Sequence, residues 1–311
     1  MMLNPIVKRE IRVQARSMRI CWTVFAYEAI MAAVYFVAMT VLKTNSMYGT
    51  ENIYSSLIWL YPVLSVTQIL ILGVIVPIRT ASAISGEKER QTFDIMMTTS
   101  MSCFSVIMGK VMTAIIQDMF FVAASLPIMA LVFVIGGLPW SYLLWFFLLA
   151  LLVSLFSASI GIFCSSVSSR TITAVIMAYG LYLIFFAAPF LPLFLVSYYE
   201  ALGNAVNYDN LAWALLPLLI NPGVYLYEFF SHVMTGKSAV YEIVSFSPQN
   251  HGFLNAITSG YWWLIISSIL LVACSFFFLW LASRLINPVG KRYLRAKKRR
   301  MPRKKAAESD T

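Results

Sequence analysis

Four consecutive charged residues, Glu87, Lys88, Glu89 and Arg90, sit between two long apolar runs, and Phe93, Ile95, Met96 and Met97 follow them. Charges beside an aromatic anchor can form charge-assisted hydrogen bonds and fill a pocket, which is the chemistry of docking rather than of bond breaking. The expected local structure is a short amphipathic helix over Glu87–Met97, broken at Thr98–Ser100. A new helix capped by Ser102 then runs through Lys110. Such an element either lies among lipid headgroups or fits a groove on a partner. Charge alone does not choose between these, and a merely solvated charge run is the plain alternative.

Two further carboxylates, Glu28 and Asp118, fall inside apolar runs, where an ionisable group is costly. At about 1.5 Å per residue both lie ~10–12 Å from the same edge of the membrane. Equal depth lets them line one inner cavity, as an ion or substrate pathway, or pair with Lys110 or Arg170. Structural pairing, or reaching toward water, is the plainer expectation. No catalytic constellation accompanies them. Cys21, Cys103, Cys164 and Cys274 lie in or beside apolar runs without metal-type spacing, and His232 and His251 belong to no ligand motif. Gly109–Lys110 has Phe104 where a phosphate-binding loop needs glycine, so the chain has no ATP cradle of its own.

The elements that must position these residues are set by lipid. Of 311 residues, 60% are hydrophobic and 12% charged, too apolar a balance for a soluble domain. Six runs are long enough to cross the bilayer as helices, which takes about 20 residues each: Ile20–Leu42, Leu57–Ile78, Val111–Gly136, Ser141–Cys164, Thr171–Val196 and Tyr261–Leu285. They are continuous rather than alternating, which excludes barrel strands. The fold class is therefore an all-α polytopic membrane protein. All of the 23 basic residues except Lys43 and Lys237 fall at the termini or in alternate loops on one side. The positive-inside rule makes that side the cytoplasm, with both termini in it.

Three regions follow. Residues 1–19 form an amphipathic elbow helix, with Asn4 as cap, Pro5 at its first position and Arg9, Arg12 and Arg16 on its polar face. Residues 20–286 form the transmembrane domain, with a cytoplasmic loop at 79–110 and an outer loop at 197–260. Within that loop an apolar stretch broken at Asn221–Pro222–Gly223 is expected as two short helices at the outer leaflet rather than a seventh span. Residues 287–311 form a basic tail, suited to setting topology and to anionic lipids but not to nucleic acid, since no aromatic residues interleave. Pro62, Pro77, Pro127, Pro189 and Pro192 mark places where spans can bend. Trp59, Tyr61, Trp140, Tyr142, Tyr198, Tyr199, Trp262 and Trp263 are expected as an interfacial aromatic belt.

The loop after the second span resembles the signature of permease subunits of type-2 ABC exporters. Glu87, Glu89, Thr92, Asp94, Met96, Met97, Thr99, Ser102, Gly109 and Lys110 stand at matching places. It departs at Gln91, where glycine is usual, and near Ser100–Met101, where proline is usual. The elbow helix, the six spans and the apolar outer segment fit the same pattern, in particular that of the single-domain permeases. The resemblance implies an export function at the plasma membrane and no catalytic residues in this chain. ATP and Mg would be bound by a separate cytoplasmic ABC ATPase subunit, and a second permease copy or paralogue would complete the membrane unit. It assigns coupling to the ATPase to Glu87, Glu89, Arg90, Thr92, Phe93 and Asp94, with the elbow helix moving alongside. The rival classes are a secondary carrier or channel that needs no ATPase, against which no internal repeat is found, and a noncatalytic scaffold.

Overall fold

The computed structural model describes residues 5–15, 17–48, 57–93, 103–202, 214–241, 256–258 and 260–286. Among them the ordered elements are helical and no strand occurs. Helix α1 (Pro5–Ala15) precedes α2 (Met18–Tyr48), the first span. The second, α3 (Leu60–Glu89), has 30 residues. At about 1.5 Å per residue it is some 45 Å long and outruns a hydrocarbon core of ~30 Å. The apolar run ends near Ile78, but the helix continues for three more turns with Arg79, Glu87 and Lys88 on it.

The third span is made of two pieces, α4 (Cys103–Ala124) and α5 (Leu126–Gly136), which meet at Ser125 with Pro127 in the first turn of the second piece. Proline lacks the amide hydrogen needed to continue a helical ladder, and the first turn is where that loss is tolerated. The fourth span is α6 (Ser141–Val167). The fifth comprises α7 (Thr171–Ala187), a 3-10 turn at Ala188–Phe190 holding Pro189, and α8 (Leu191–Ala201). Among the described residues six helical stretches are long and apolar enough to cross a membrane, the last being α10 (Trp262–Ile286).

The apolar segment between the fifth and sixth spans breaks at Asn221, as its sequence implied. A 3-10 turn over Leu216–Ile220 gives way to α9 (Pro222–Thr235), whose cap Asn221 accepts hydrogen bonds from the Gly223 and Val224 amides. Fourteen residues of helix span only about 21 Å, too short to cross. Asn221 also donates to the Phe186 carbonyl at 2.9 Å, tying the segment to the fifth span.

α6 is the hub of the bundle: 67% of its most apolar stretch is buried, against 11% for the first span. It lies alongside α3 and runs in the same direction. At one end the Tyr61 hydroxyl donates to the Tyr142 carbonyl at 3.2 Å, and at the other the Ser165 hydroxyl accepts the Ile84 and Ser85 amides. Between these, Gly161 meets Thr80 so closely that a Cβ there would lie 1.9 Å from the Thr80 hydroxyl oxygen. Small residues are how membrane helices approach when lipid offers no hydrophobic drive between them. Ser157 and Ser159 turn their hydroxyls onto their own helix, at the Val153 and Phe156 carbonyls. This keeps them from being unsatisfied in an apolar interior.

The aromatic belt needs one correction. Trp59, Trp140, Tyr198, Tyr199 and Trp262 are exposed, but Tyr61 and Trp263 are wholly buried. Tyr61 packs edge-on against Phe133, Phe146 and Phe230. An aromatic residue at the end of an apolar run looks the same in sequence whether it faces headgroups or a neighbouring helix.

Candidate functional site

The charged cluster is not the start of a separate helix. Glu87, Lys88 and Glu89 form the last turn of α3, and the chain leaves the helix through a left-handed residue, Gln91, with φ of 58°. The Gln91 amide donates to the Lys88 carbonyl and the Thr92 amide to the Glu87 carbonyl, a Schellman termination. The expected Glu87–Met97 helix is therefore interrupted at Arg90–Thr92, and Asp94 to Met97 lie outside the described residues. Gln91 is the position where the resembling pattern has glycine, and only glycine occupies left-handed geometry without steric cost. Gln91→Gly is accordingly expected to stabilise the fold by about 1 kcal/mol, read as a rise in the thermal inactivation midpoint of the purified protein.

Successive residues of a helix point about 100° apart, so the three charges reach three different neighbours. Glu87 accepts from the Lys110 ammonium at 2.8 Å. That same ammonium reaches Glu10 of α1 at 3.3 Å and the Ala83 carbonyl at 2.9 Å. The Lys110 side chain is only 3% exposed, and its three donors meet three acceptors. Lys88 donates to the Ser165, Ser166 and Ser168 carbonyls, closing the C-terminus of α6, where a cation favours the helix dipole. Phe93 lies beneath that ammonium, 5.9 Å from its ring centroid. Glu89 accepts from the Thr171 hydroxyl at 2.7 Å and the Thr171 amide at 3.3 Å, so it caps the N-terminus of α7.

Three adjacent residues thus clamp five elements: α1, α3, α4, α6 and α7. Sequence reading aimed Glu87 and Glu89 at a partner, but both are engaged within the chain. Arg90 and Thr92 are exposed, as are Arg9 and Arg12 on α1, while Val7 of α1 is buried. Arg16 lies outside the described residues. The residues that sequence reasoning missed are Glu10, Lys110 in its bridging role, Lys88 and Thr171. Their pairings span 23 to 100 positions, and no local pattern encodes them.

The intramembrane carboxylates separate. Asp118 is fully buried; it pairs with Arg79 at 3.3 Å and accepts from Ser154 at 2.6 Å. Arg79, rather than Lys110 or Arg170, is its cation. The guanidinium also donates to Gln117 and to the Ala114 carbonyl, and sits 5.8 Å from the Phe121 ring centroid. Glu28 is half-buried, and one of its oxygens lacks a hydrogen-bond partner among the described residues.

Among the described residues, six apolar helices with a charged clamp at one end and an ion pair within the bundle make a multi-pass membrane protein. The chain belongs to the ABC-2 transporter family, whose model, described as ABC-2 family transporter protein, matches residues 4–285. It is thus an ABC transporter permease, a membrane component that is not itself the catalyst. A search of curated proteins found no match.

Proposed function

We propose that this chain is the membrane-spanning subunit of an ATP-driven exporter whose ATP and Mg are bound by a separate cytoplasmic ABC ATPase. Two permeases, identical or paralogous, would complete the membrane unit. Support comes from the family membership and from the lack of a phosphate-binding loop in the sequence. The observation that carries the coupling mechanism is the clamp at Glu87–Lys88–Glu89. Force applied at the exposed turn after it passes into α4 through Lys110, into α6 through Lys88 and into α7 through Glu89. The clamp end is assigned to the cytoplasm by the distribution of basic residues.

The ATPase-facing surface in this reading is the exposed Arg90–Thr92 turn with the residues that follow it, flanked by Arg9 and Arg12 of the elbow helix. Docking charges exposed at a rim act chiefly on encounter and specificity. Arg90→Glu is therefore expected to weaken co-purification of the ATPase and to lower ATP-driven transport in proteoliposomes about tenfold, with insertion unaffected. Undiminished transport would remove Arg90 from the interface. Transport of cargo by the isolated chain without any ATPase would instead make it a secondary carrier.

A further inference from the structure

The segment between the fifth and sixth spans holds a polar cluster that the coupling junction does not use. On α9, Glu228 is fully buried and His232, one turn later, is buried as well. His232 Nδ1 lies 3.3 Å from Glu228 Oε1 and 3.1 Å from the Glu228 carbonyl. His232 Nε2 lies 2.8 Å from the Gly260 carbonyl, just ahead of α10. Glu228 Oε2 accepts the Val240 amide at 3.1 Å, and the Tyr261 ring lies against the imidazole, 4.9 Å between centroids.

These contacts fix a proton count. A carbonyl only accepts, so Nε2 must carry a hydrogen to meet Gly260. Nδ1 then faces two oxygens, and Oε1 receives no other hydrogen bond. A neutral ring with an ionised carboxylate would set a lone pair against that carboxylate and leave a buried charge uncompensated. The closed arrangement therefore needs one more proton, on Nδ1 or on Oε1. Either placement makes the same hydrogen bond and leaves the pair with no net charge.

We propose that Glu228 and His232 form a single-proton binding site that latches α9 to Gly260 and to the Val240 amide. Among the described residues the site faces no competing charge. The 3-10 turn before α9 and α7 contain no charged residue, and Arg284 is at the far end of α10. Lys237 follows the C-terminal end of α9, and neither it nor any other described residue forms a further ion pair with Glu228 or His232. Among the described residues the remaining titratable neighbours are tyrosines: Tyr225 and Tyr227 on α9, Tyr179 and Tyr182 on α7, Tyr61 against Phe230, Tyr241 next to Val240, and Tyr261.

The closed latch binds one more proton than an open segment with an ionised Glu228 and a neutral His232. Acid therefore closes it and rising pH opens it. Phe230 packs on Tyr61 at the start of α3, which places α9 at the end of the bundle opposite the clamp. The latch would thus read the pH on the side opposite the clamp, and it does so whether or not the exporter reading holds.

The test is hydrogen exchange of the full-length chain in lipid nanodiscs, followed from about pH 5.5 to about pH 8.5 and corrected for intrinsic rates. Peptides covering 238–241 and 260–263 are expected to lose protection about tenfold as pH rises. Glu228→Gln supplies a permanent hydrogen toward Nδ1 while still accepting the Val240 amide, and is expected to stay protected at every pH. His232→Gln leaves Glu228 buried without the imidazole and is expected to loosen the segment at every pH. As His251 is the only other histidine, nitrogen-15 histidine spectra of the His251→Asn protein report His232 alone. They should show Nε2 protonated throughout. A flat profile in the unaltered protein, a wild-type slope in Glu228→Gln, or a bare Nε2 would each overturn the proposal.

Discussion

Lys110→Met is expected to free α1 from the bundle and to abolish most coupled transport while leaving the six spans inserted. The methionine conserves the length of the side chain but removes the cation between Glu10 and Glu87. Those carboxylates are about 30% exposed, so water relieves part of the penalty. Breaking a buried pair costs roughly 3–5 kcal/mol, and this half-solvated one should cost about 2 kcal/mol. That is more than enough to shift a short helix among whose described residues Val7 alone is fully buried and Glu10 shares the ammonium. Hydrogen exchange over 5–15 should rise more than tenfold, and ATP-driven transport should fall by a similar factor. Glu10→Gln should produce the first effect with a smaller second one, because the contact between Glu87 and Lys110 survives. Unchanged exchange over 5–15 in Lys110→Met would show that α1 is held by other means.

The parts of this architecture legible in the sequence are those that lipid dictates. A span must be helical and about 20 apolar residues long, so six runs announce themselves, and Asn221–Pro222–Gly223 interrupts the seventh candidate. Pro127 and Pro189 fall where the third and fifth spans are broken, whereas Pro77 lies within an intact α3. Hydropathy sees the hydrocarbon rather than the helix, and so it ends the second span near Ile78 although α3 continues to Glu89. The clamp is illegible for a different reason. Glu87, Lys88 and Glu89 have the local signature of a solvated or docking surface, and their partners near residues 110, 165 and 171 belong to other helices. The resemblance to the permease signature directed attention to this turn, and the structure gives two of its carboxylates an internal task. In the proposed mechanism the transmitting residues differ from the touching ones: Glu87 and Glu89 hold the spans, and Arg90 and its neighbours meet the ATPase.

The ion pair between Arg79 and Asp118 should give an asymmetric response. Arg79→Met strands Asp118, which is fully buried with only the Ser154 hydroxyl in support. Asp118→Asn strands Arg79, but that side chain is 27% exposed and also reaches Gln117 and the Ala114 carbonyl. The first change should therefore cost about 3 kcal/mol and the second about 1 kcal/mol, because an unpaired charge is costly in proportion to its burial. Combining Arg79→Met with Asp118→Asn removes both charges and should recover most of the loss, since replacing an entire buried pair is often close to neutral. Heating the detergent-solubilised proteins and measuring the monodisperse fraction orders the four forms. If Asp118→Asn were the more damaging single change, Asp118 would be doing more than neutralising Arg79. Transport then separates the two roles left open for this carboxylate. A stable double variant that still exports at the normal rate makes the pair a fastener between α3, α4 and α6. A stable double variant that no longer exports, or that changes its cargo, places the charges on the pathway itself.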